Sequence, residues 1–176
     1  MKTYFTLALL LALLPLQSFA QDIDIDIDVP TIPEAEVPQV VLDTQAYFFP
    51  SAFITEWQKE EGFDANEDDA VRYIAKFERD GKAGFSASYL PSGELIFQNQ
   101  YMPPENIPET VRLKLQFEFK NFEIDHANFL TVYSPKREIY EVRIRENALV
   151  QQAYYDINGN RIDKSTLPPE VILFTQ

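Results

Sequence analysis

Apolar and polar residues alternate with a period of two in several parts of this chain. Tyr140, Val142 and Ile144 alternate with charged residues, and residues 71–77 show the same pattern. This period is typical of an antiparallel strand with one covered face. Together with the turn residues between the runs, the pattern predicts two blocks of three strands, near residues 53–58, 71–79 and 83–90, and near residues 124–133, 138–145 and 149–155.

A short amphipathic helix is predicted ahead of each block, over residues 39–48 and 109–121. The helices follow Val37-Pro38 and Ile107-Pro108, and proline is tolerated at a helix start because the N–H there is unpaired. Val111, Leu115 and Phe122 fall on one helical face. Phe49-Pro50 ends the first helix, since a residue before proline avoids helical backbone angles.

The two blocks resemble each other in sequence. Residues 87–96 align without gaps on residues 153–162, Phe53–Trp57 is similar to Phe129–Tyr133, and Leu167-Pro168 repeats the apolar-proline pair near the end. The sequence therefore predicts an α+β fold, a tandem repeat of an α-β-β-β unit with its helices packed on one face of antiparallel sheet. The first repeat spans residues 37–106 and the second spans residues 107–176.

Residues 1–20 have the features of a secretory signal peptide. Lys2 precedes an apolar run from Tyr4 to Leu16, and Ser18-Phe19-Ala20 predicts cleavage between Ala20 and Gln21. An uncleaved anchor is the alternative, but the run is shorter than the roughly 20 residues that cross a bilayer. No later segment is apolar enough to span. We therefore expect an exported protein, periplasmic or secreted, with no membrane span.

Residues 21–36 are acidic and contain two prolines, and we interpret them as a linker. Their Ile/Asp alternation has the period of a strand, but aspartate is a poor strand former and four aspartates on one face repel each other. Pro30 and Pro33 also limit strand pairing. An added edge strand is the alternative interpretation.

The amino-acid composition argues against several classes of function. The 176 residues include 28 acidic and 15 basic side chains, one His and no Cys, giving a formal net charge of −13. This charge argues against nucleic-acid binding, which depends on Lys and Arg. Without Cys there is no disulfide, Cys-zinc or thiol chemistry, and one imidazole cannot form a multi-histidine metal site. We therefore predict no cofactor and no enzymatic activity.

The polar candidates for chemistry each have a simpler structural interpretation. His126 lies beside Asp125, but no G-x-S-x-G motif accompanies it. Asp64, Asn66 and Asp68 have the spacing that begins a calcium loop, yet Asp69 and Ala75 replace the Gly and Glu that the loop requires. Asn158-Gly159, flanked by Asp156 and Asn160, reads as a turn. No metal site is assigned, and calcium or small-ligand binding by the acidic segments is the alternative function.

The aromatic residues are the remaining candidates for a functional site. Phe53, Trp57, Phe129 and Tyr133 are predicted to line one face of equivalent strands, as core beneath the helices or as contacts for another protein. Tyr101 lies in the predicted connector between the repeats and could add a second contact. We take these five as candidate partner-binding residues.

The order of these motifs resembles the PepSY-like family of exported proteins, which is also described as β-lactamase-inhibitor-like (BLIP-like). The resemblance is carried by the following stretches: Ile107-Pro108-Glu109-Thr110-Val111, Ile139-Tyr140-Glu141-Val142-Arg143-Ile144 and Tyr154-Tyr155-Asp156-Ile157-Asn158-Gly159-Asn160-Arg161-Ile162. The first repeat departs from the family by an acidic insert at residues 60–69. The resemblance implies a non-catalytic module that binds or inhibits an unknown protein or envelope component through an open sheet face.

Overall fold

The computed structural model describes residues 29–62, 70–146, 149–168 and 171–172. The predicted signal peptide, the aspartate-rich part of the linker and the candidate calcium loop lie outside these residues. The described elements, in chain order, are β1 (Thr31–Ile32), α1 (Gln39–Phe48), β2 (Phe53–Glu61), β3 (Val71–Arg79), β4 (Lys82–Tyr89), β5 (Leu95–Met102), α2 (Glu109–Glu118), β6 (Glu123–Tyr133), β7 (Lys136–Glu146), β8 (Leu149–Asp156) and β9 (Arg161–Ile162).

The nine strands form one antiparallel sheet in which spatial order follows chain order from β1 to β9. Together with α1 and α2, this sheet is the α+β fold that the sequence predicts. Three short 3-10 turns, Glu34–Glu36, Pro104–Asn106 and Lys164–Thr166, each follow a strand and precede an apolar-proline pair. Two of these pairs lead into α1 and α2, and the third leads to the helical residues Val171 and Ile172.

Both helices pack on the same face of the sheet, which we call the helix face. Val41 of α1 is buried with Trp57 and Ala75 in a first core. Val111 and Leu115 of α2 are buried against β6, β7 and β8 in a second core. The cores share a face because Phe85 of the first is paired with Gln100, and Gln100 and Met102, which packs on the second core, alternate on the same side of β5.

The opposite face carries a third, smaller core. Here Leu167 and Val171 of the C-terminal segment (residues 163–168 and 171–172) pack on apolar side chains of β5 to β8. The covered residues are Phe97, Leu130, Val132, Ile139 and Tyr154. The third apolar-proline pair therefore lies on the face that α1 and α2 leave uncovered.

The structure corrects several expected boundaries. Helix α1 covers the predicted residues, but α2 ends at Glu118 rather than at residue 121. Phe119 is extended because its ring turns inward to pack with Phe122 at 5.9 Å between ring centroids. Thr31 and Ile32, assigned above to a linker, pair with Gln58 and Trp57 as an edge strand, the alternative considered there.

Strand β5 contains Tyr101, which the sequence places in a connector, and it joins the two halves into one sheet. It pairs with β4 on one side and β6 on the other. Phe97 faces the C-terminal segment and Gln98 faces the helices, and both are buried. A strand covered on both sides does not show a clean alternation, so the period of two that identified its neighbours is missing.

Two equivalent turns pack tightly against the helices. Gly93, in the β4–β5 turn, has a φ of +86°, and a Cβ added there would lie 2.7 Å from Val40 Cγ2. Gly159, in the β8–β9 turn, has a φ of +78°, and its Cβ would lie 3.0 Å from the Thr110 carbonyl oxygen. Only glycine combines this backbone conformation with so close an approach.

We expect Gly93→Ala to lower the free energy of unfolding by about 3 kcal/mol, combining left-handed backbone strain with overpacking against α1. Gly81→Ala is the matched control, because Gly81 has a φ of +71° but nothing within 4 Å of its added Cβ. It should lose only about 1 kcal/mol. Urea unfolding of both variants measures the difference, and equal losses would show that the turn does not press on the helix.

Candidate functional site

The five predicted partner-binding aromatics are divided between the two faces of the sheet. Trp57 is only 4% exposed and belongs to the first core. Phe129 and Tyr133 are partly buried on the helix face. Phe53 and Tyr101 lie on the opposite face, where they are 69% and 50% exposed. Phe53 and Tyr101 are therefore the two members of the set that a partner can reach directly.

A β-bulge separates Phe53 from Trp57. Four residues of regular strand would place both on one face, as expected from the sequence. The register instead shifts between Ile54 and Glu56, so that Phe53 pairs with Glu78 while Trp57 pairs with Ala75. A bulge adds one residue to one strand and turns the residues beyond it to the other face. The expectation of a shared face is therefore wrong for Phe53.

Phe129 and Tyr133 take part in packing where the two halves meet. Tyr133 contacts Phe48 of α1 with ring centroids 5.3 Å apart, and Phe129 contacts Tyr140 at 4.9 Å. Tyr133 packs on the first core and Tyr140 on the second. Burial raises the pKa of both tyrosines above the ordinary value. Their rings stabilise the junction between the two cores.

A shallow depression on the opposite face lies next to the two exposed aromatics. Its volume is about 270 Å³. The lining includes Glu78, which pairs with Phe53, and Gly84, where an added Cβ would lie 3.3 Å from Tyr101 Cβ. Lys76 also lines the depression. We call Phe53, Tyr101 and this depression the aromatic surface.

Polar contacts order the side chains beside the aromatic surface. Glu56 accepts hydrogen bonds of 2.7 Å from both Thr31 Oγ1 and Gln58 Nε2, and Lys76 Nζ lies 3.5 Å from its other oxygen. The Thr31 hydroxyl, with help from Lys76, lowers the pKa of Glu56. Glu56 is thus held by three neighbours, and one of them, Lys76, lines the depression.

The chain's single imidazole supports Tyr101. His126 packs against the Tyr101 ring with centroids 5.8 Å apart. Its neighbour Asp125 accepts a hydrogen bond of 3.1 Å from Arg145 and lies 3.7 Å from Arg143 Nε. Arg145 is the main cause of a lowered pKa of Asp125, and Arg143 and His126 add to it. This arrangement fixes an aromatic side chain and provides two arginines near it, both typical of protein interfaces.

Glu141 is a buried acid on the same face. It is 3% exposed, and one carboxylate oxygen accepts a hydrogen bond of 3.0 Å from Asn128. Burial raises the pKa of Glu141 to about 7, against smaller lowering effects of Asn128, Arg143 and Lys164. Alternation in β7 predicted that Glu141 faces solvent. It is instead buried beside the third core, to which its strand neighbour Ile139 and its cross-strand partner Tyr154 belong.

The remaining candidates for metal chemistry are satisfied by the protein or lie outside the described residues. The Asn160 side chain is the main cause of a lowered pKa of Asp156, and the Asn158 and Asn160 backbone N–H groups, which donate to Asp156 at 2.9 and 2.8 Å, add to it. This is the turn that the sequence predicted. Among the described ranges, no group of three or more His, Asp or Glu side chains could hold a metal ion. Asp64, Asn66 and Asp68 fall in the segment 63–69, which is not described.

The length and composition of the helices decide whether one of them can cross a membrane. Neither α1 nor α2, nor any other helix within residues 29–62, 70–146, 149–168 and 171–172, has the length and apolar character to cross a bilayer.

Comparison with known proteins identifies the fold. No family profile and no curated protein matches the chain, but solved structures do. A BLIP-like protein from Bacteroides fragilis has a TM-score of 0.58 at 17% identity, over 75% of this chain and 85% of that chain. A DUF2874 family protein from Bacteroides ovatus has a TM-score of 0.59 at 15% identity, over 72% and 84%. A protein from Bacteroides eggerthii, described provisionally as periplasmic, has a TM-score of 0.57 at 14% identity, over 72% and 86%. The chain therefore shares its fold with BLIP-like and DUF2874 proteins.

We expect Glu141→Gln to change how stability depends on pH. A carboxyl with a raised folded-state pKa binds its proton more tightly in the folded protein, so the contribution of Glu141 to wild-type stability falls as pH rises from about 4.5 to 7. Glutamine stays neutral. Relative to wild type, the variant should gain up to about 3 kcal/mol between pH 5 and pH 8.

Urea unfolding at several pH values measures this gain. Glu138→Gln, an exposed change on the same strand, serves as the control and should run parallel to wild type. Parallel curves for wild type and Glu141→Gln would contradict the assignment of a buried, protonated Glu141.

Proposed function

We propose that this chain is an exported, non-catalytic protein that binds another protein through the aromatic surface. The observation that carries the proposal is the pair of large aromatic side chains, Phe53 and Tyr101, exposed beside a shallow depression on the sheet face away from α1 and α2. Exposed aromatics clustered on a rigid scaffold are common energetic centres of protein interfaces. Sheet strands hold both residues in fixed positions, so little conformational entropy is lost on binding.

The shape of the surface favours a macromolecular partner over a small substrate. Sites for small molecules are concave and usually have volumes of 300 to 1,000 Å³, roughly, with converging polar groups. The depression beside Gly84 is smaller, at about 270 Å³, and its lining residue Lys76 is already paired with Glu56. A flat surface of this kind is suited to contact with a folded protein or an extended chain segment.

The proposal includes a tandem repeat of one α-β-β-β unit, extended in each half by a further strand. It is supported by equivalent contacts about 70 residues apart. Ile32 pairs with Trp57 as Met102 pairs with Ala127. The buried tyrosines Tyr89 and Tyr155 donate hydrogen bonds to the helix residues Gln45 and Glu118, in α1 and α2. The turn glycines described above also correspond.

Export rests on the signal-peptide pattern of residues 1–20, with cleavage after Ala20, and is supported by the provisional periplasmic description of a protein with the same fold. A relation to the PepSY-like family in particular stays a prediction. An inhibitory or regulatory role is suggested by the fold shared with a BLIP-like protein. The partner itself is an unknown protein or envelope component.

The binding proposal is tested with the exported chain, residues 21–176, immobilised in wild-type form and as the double variant Phe53→Ala/Tyr101→Ala. We expect the double variant to bind a partner captured from the exported fraction at least about tenfold more weakly, because interface aromatics carry much of the binding energy. Tyr47→Ala is the control, since Tyr47 is a comparably exposed aromatic on α1, on the helix face. Equal loss for both variants, or no loss for either, would overturn the aromatic surface as the binding site.

The inhibitory role has its own measurement. Hydrolysis of a chromogenic β-lactam by a purified β-lactamase is followed while the exported chain is added. Inhibition that the double variant lacks would identify the partner class. Unchanged hydrolysis would remove β-lactamase as partner and leave the binding proposal to the capture experiment.

A further inference from the structure

Four positions form a row across strands β2 to β5 on the face opposite the helices. Phe53 on β2 pairs with Glu78 on β3, Gly84 lies beside them on β4, and Tyr101 follows on β5. Neighbouring strands are about 4.8 Å apart, so the backbones that carry the two aromatic rings are separated by roughly 14 Å. Because Gly84 has no side chain, the row has an open position between Glu78 and Tyr101, and Glu78 and Gly84 both line the depression.

Glu78 brings to this row a carboxylate without a counter-ion among the described residues. Its side chain is exposed, and the hydrogen bonds and ion pairs of the described part of the chain do not include it. Lys76, two residues away on the same strand face, is held 3.5 Å from Glu56. Arg79 lies over the Phe85 ring of the first core, with its guanidinium carbon 4.8 Å from the ring centroid. The charge of Glu78 is therefore available to a partner.

The ring of Tyr101 forms the other wall of the open position. His126 packs against this ring with centroids 5.8 Å apart. Gly84 lies on the β4 side, where an added Cβ would be 4.0 Å from Tyr101 Cδ1. The Tyr101 side chain is 50% exposed. A carboxylate and an aromatic ring on either side of one open position are the groups that bind a flat organic cation, through charge-assisted hydrogen bonds and a cation–π contact.

We propose that the depression receives one arginine side chain of the partner, an inference that rests on the binding function proposed above. The guanidinium donates hydrogen bonds to the Glu78 carboxylate and lies against the Tyr101 ring, while Phe53 contacts the methylene groups of the arginine. Arginine suits this position better than lysine, because its planar group stacks on a ring and presents a fork of two N–H donors to a carboxylate. Arginine is also enriched at protein interfaces.

The charges of the chain favour a single basic side chain on the partner. The formal net charge of −13 attracts a cationic surface. Close to the depression, however, Lys76 is one of the lining residues and Lys82 is exposed two residues before Gly84. These two cations repel a run of basic residues. The surface therefore fits one arginine next to Glu78 rather than a polybasic segment.

A small probe tests this site without knowledge of the partner. N-acetyl-arginine methylamide is titrated into the isotope-labelled exported chain, and the backbone amide shifts of residues 78 and 84 are followed by NMR. We expect saturable shifts at both positions. N-acetyl-citrulline methylamide has nearly the same shape without the charge, and it should bind at least about fivefold more weakly because it forms no ion pair.

Two variants assign the binding to Glu78. Glu78→Gln should weaken binding of the arginine probe by about fivefold and leave the citrulline probe unchanged. Glu138→Gln is the matched control, because it removes an exposed carboxylate of β7 that is not part of the row, and it should change neither probe. Equal binding of the two probes, undiminished binding in Glu78→Gln, or no saturable shift at residues 78 and 84 would each overturn the arginine site.

The capture experiment separates a failure of this inference from a failure of the binding function. Loss of the captured partner in both Phe53→Ala/Tyr101→Ala and Glu78→Gln supports the arginine site. Loss in the double variant alone means that the aromatic surface binds its partner without an arginine, so that only the present inference is overturned. Full capture by the double variant overturns the binding surface itself, whatever the probe does.

Discussion

The close contact between each helix and the turn below it is the constraint on which the rest of the structure depends. Gly93 brings the β4–β5 turn against Val40 of α1, and Gly159 brings the β8–β9 turn against Thr110 of α2. With no side chain between them, turn and helix backbones fix how far each helix sits above its strands. The tyrosine hydrogen bonds from Tyr89 and Tyr155 then anchor the same helices from the sheet.

Seating both helices on one face determines what the other face can do. The large apolar residues of the helix face are buried in the first and second cores. Part of the opposite face is covered by the C-terminal segment, and the rest is a polar surface that carries Phe53 and Tyr101. The same division explains Glu141. A carboxylate that alternation assigns to solvent is buried beside Ile139 and Tyr154, two apolar-packed residues of the third core.

The sequence predicted the elements whose signals are local. Val37-Pro38 and Phe49-Pro50 delimit α1, and the strict alternation of Tyr140, Val142 and Ile144 identifies β7. It failed where tertiary packing decides. Strand β5 is covered on both faces and shows no regular period, and α2 ends early because Phe119 turns into the core.

The candidate site was predictable only in part. Aromatic residue type and export pattern pointed to Phe53 and Tyr101, but a bulge placed Phe53 on the opposite face from Trp57, and no residue pattern announces that bulge. The buried state of Glu141 depends on packing by neighbouring strands, including its partner Tyr154 on β8, which alternation within β7 does not reveal.

The order of the strands has a consequence for how the chain acquires its structure. Every neighbouring pair, from β1–β2 to β8–β9, joins strands that follow one another along the chain, with α1 between β1 and β2 and α2 between β5 and β6. Such nearest-neighbour pairing keeps the loop-closure entropy small and favours rapid folding. The docking of Leu167 and Val171 onto Phe97 and Leu130 is different in kind, because it requires strands β5 to β8 to be assembled first. The strands can thus pair in chain order, and the docking of Leu167 and Val171 on the face opposite the helices comes last.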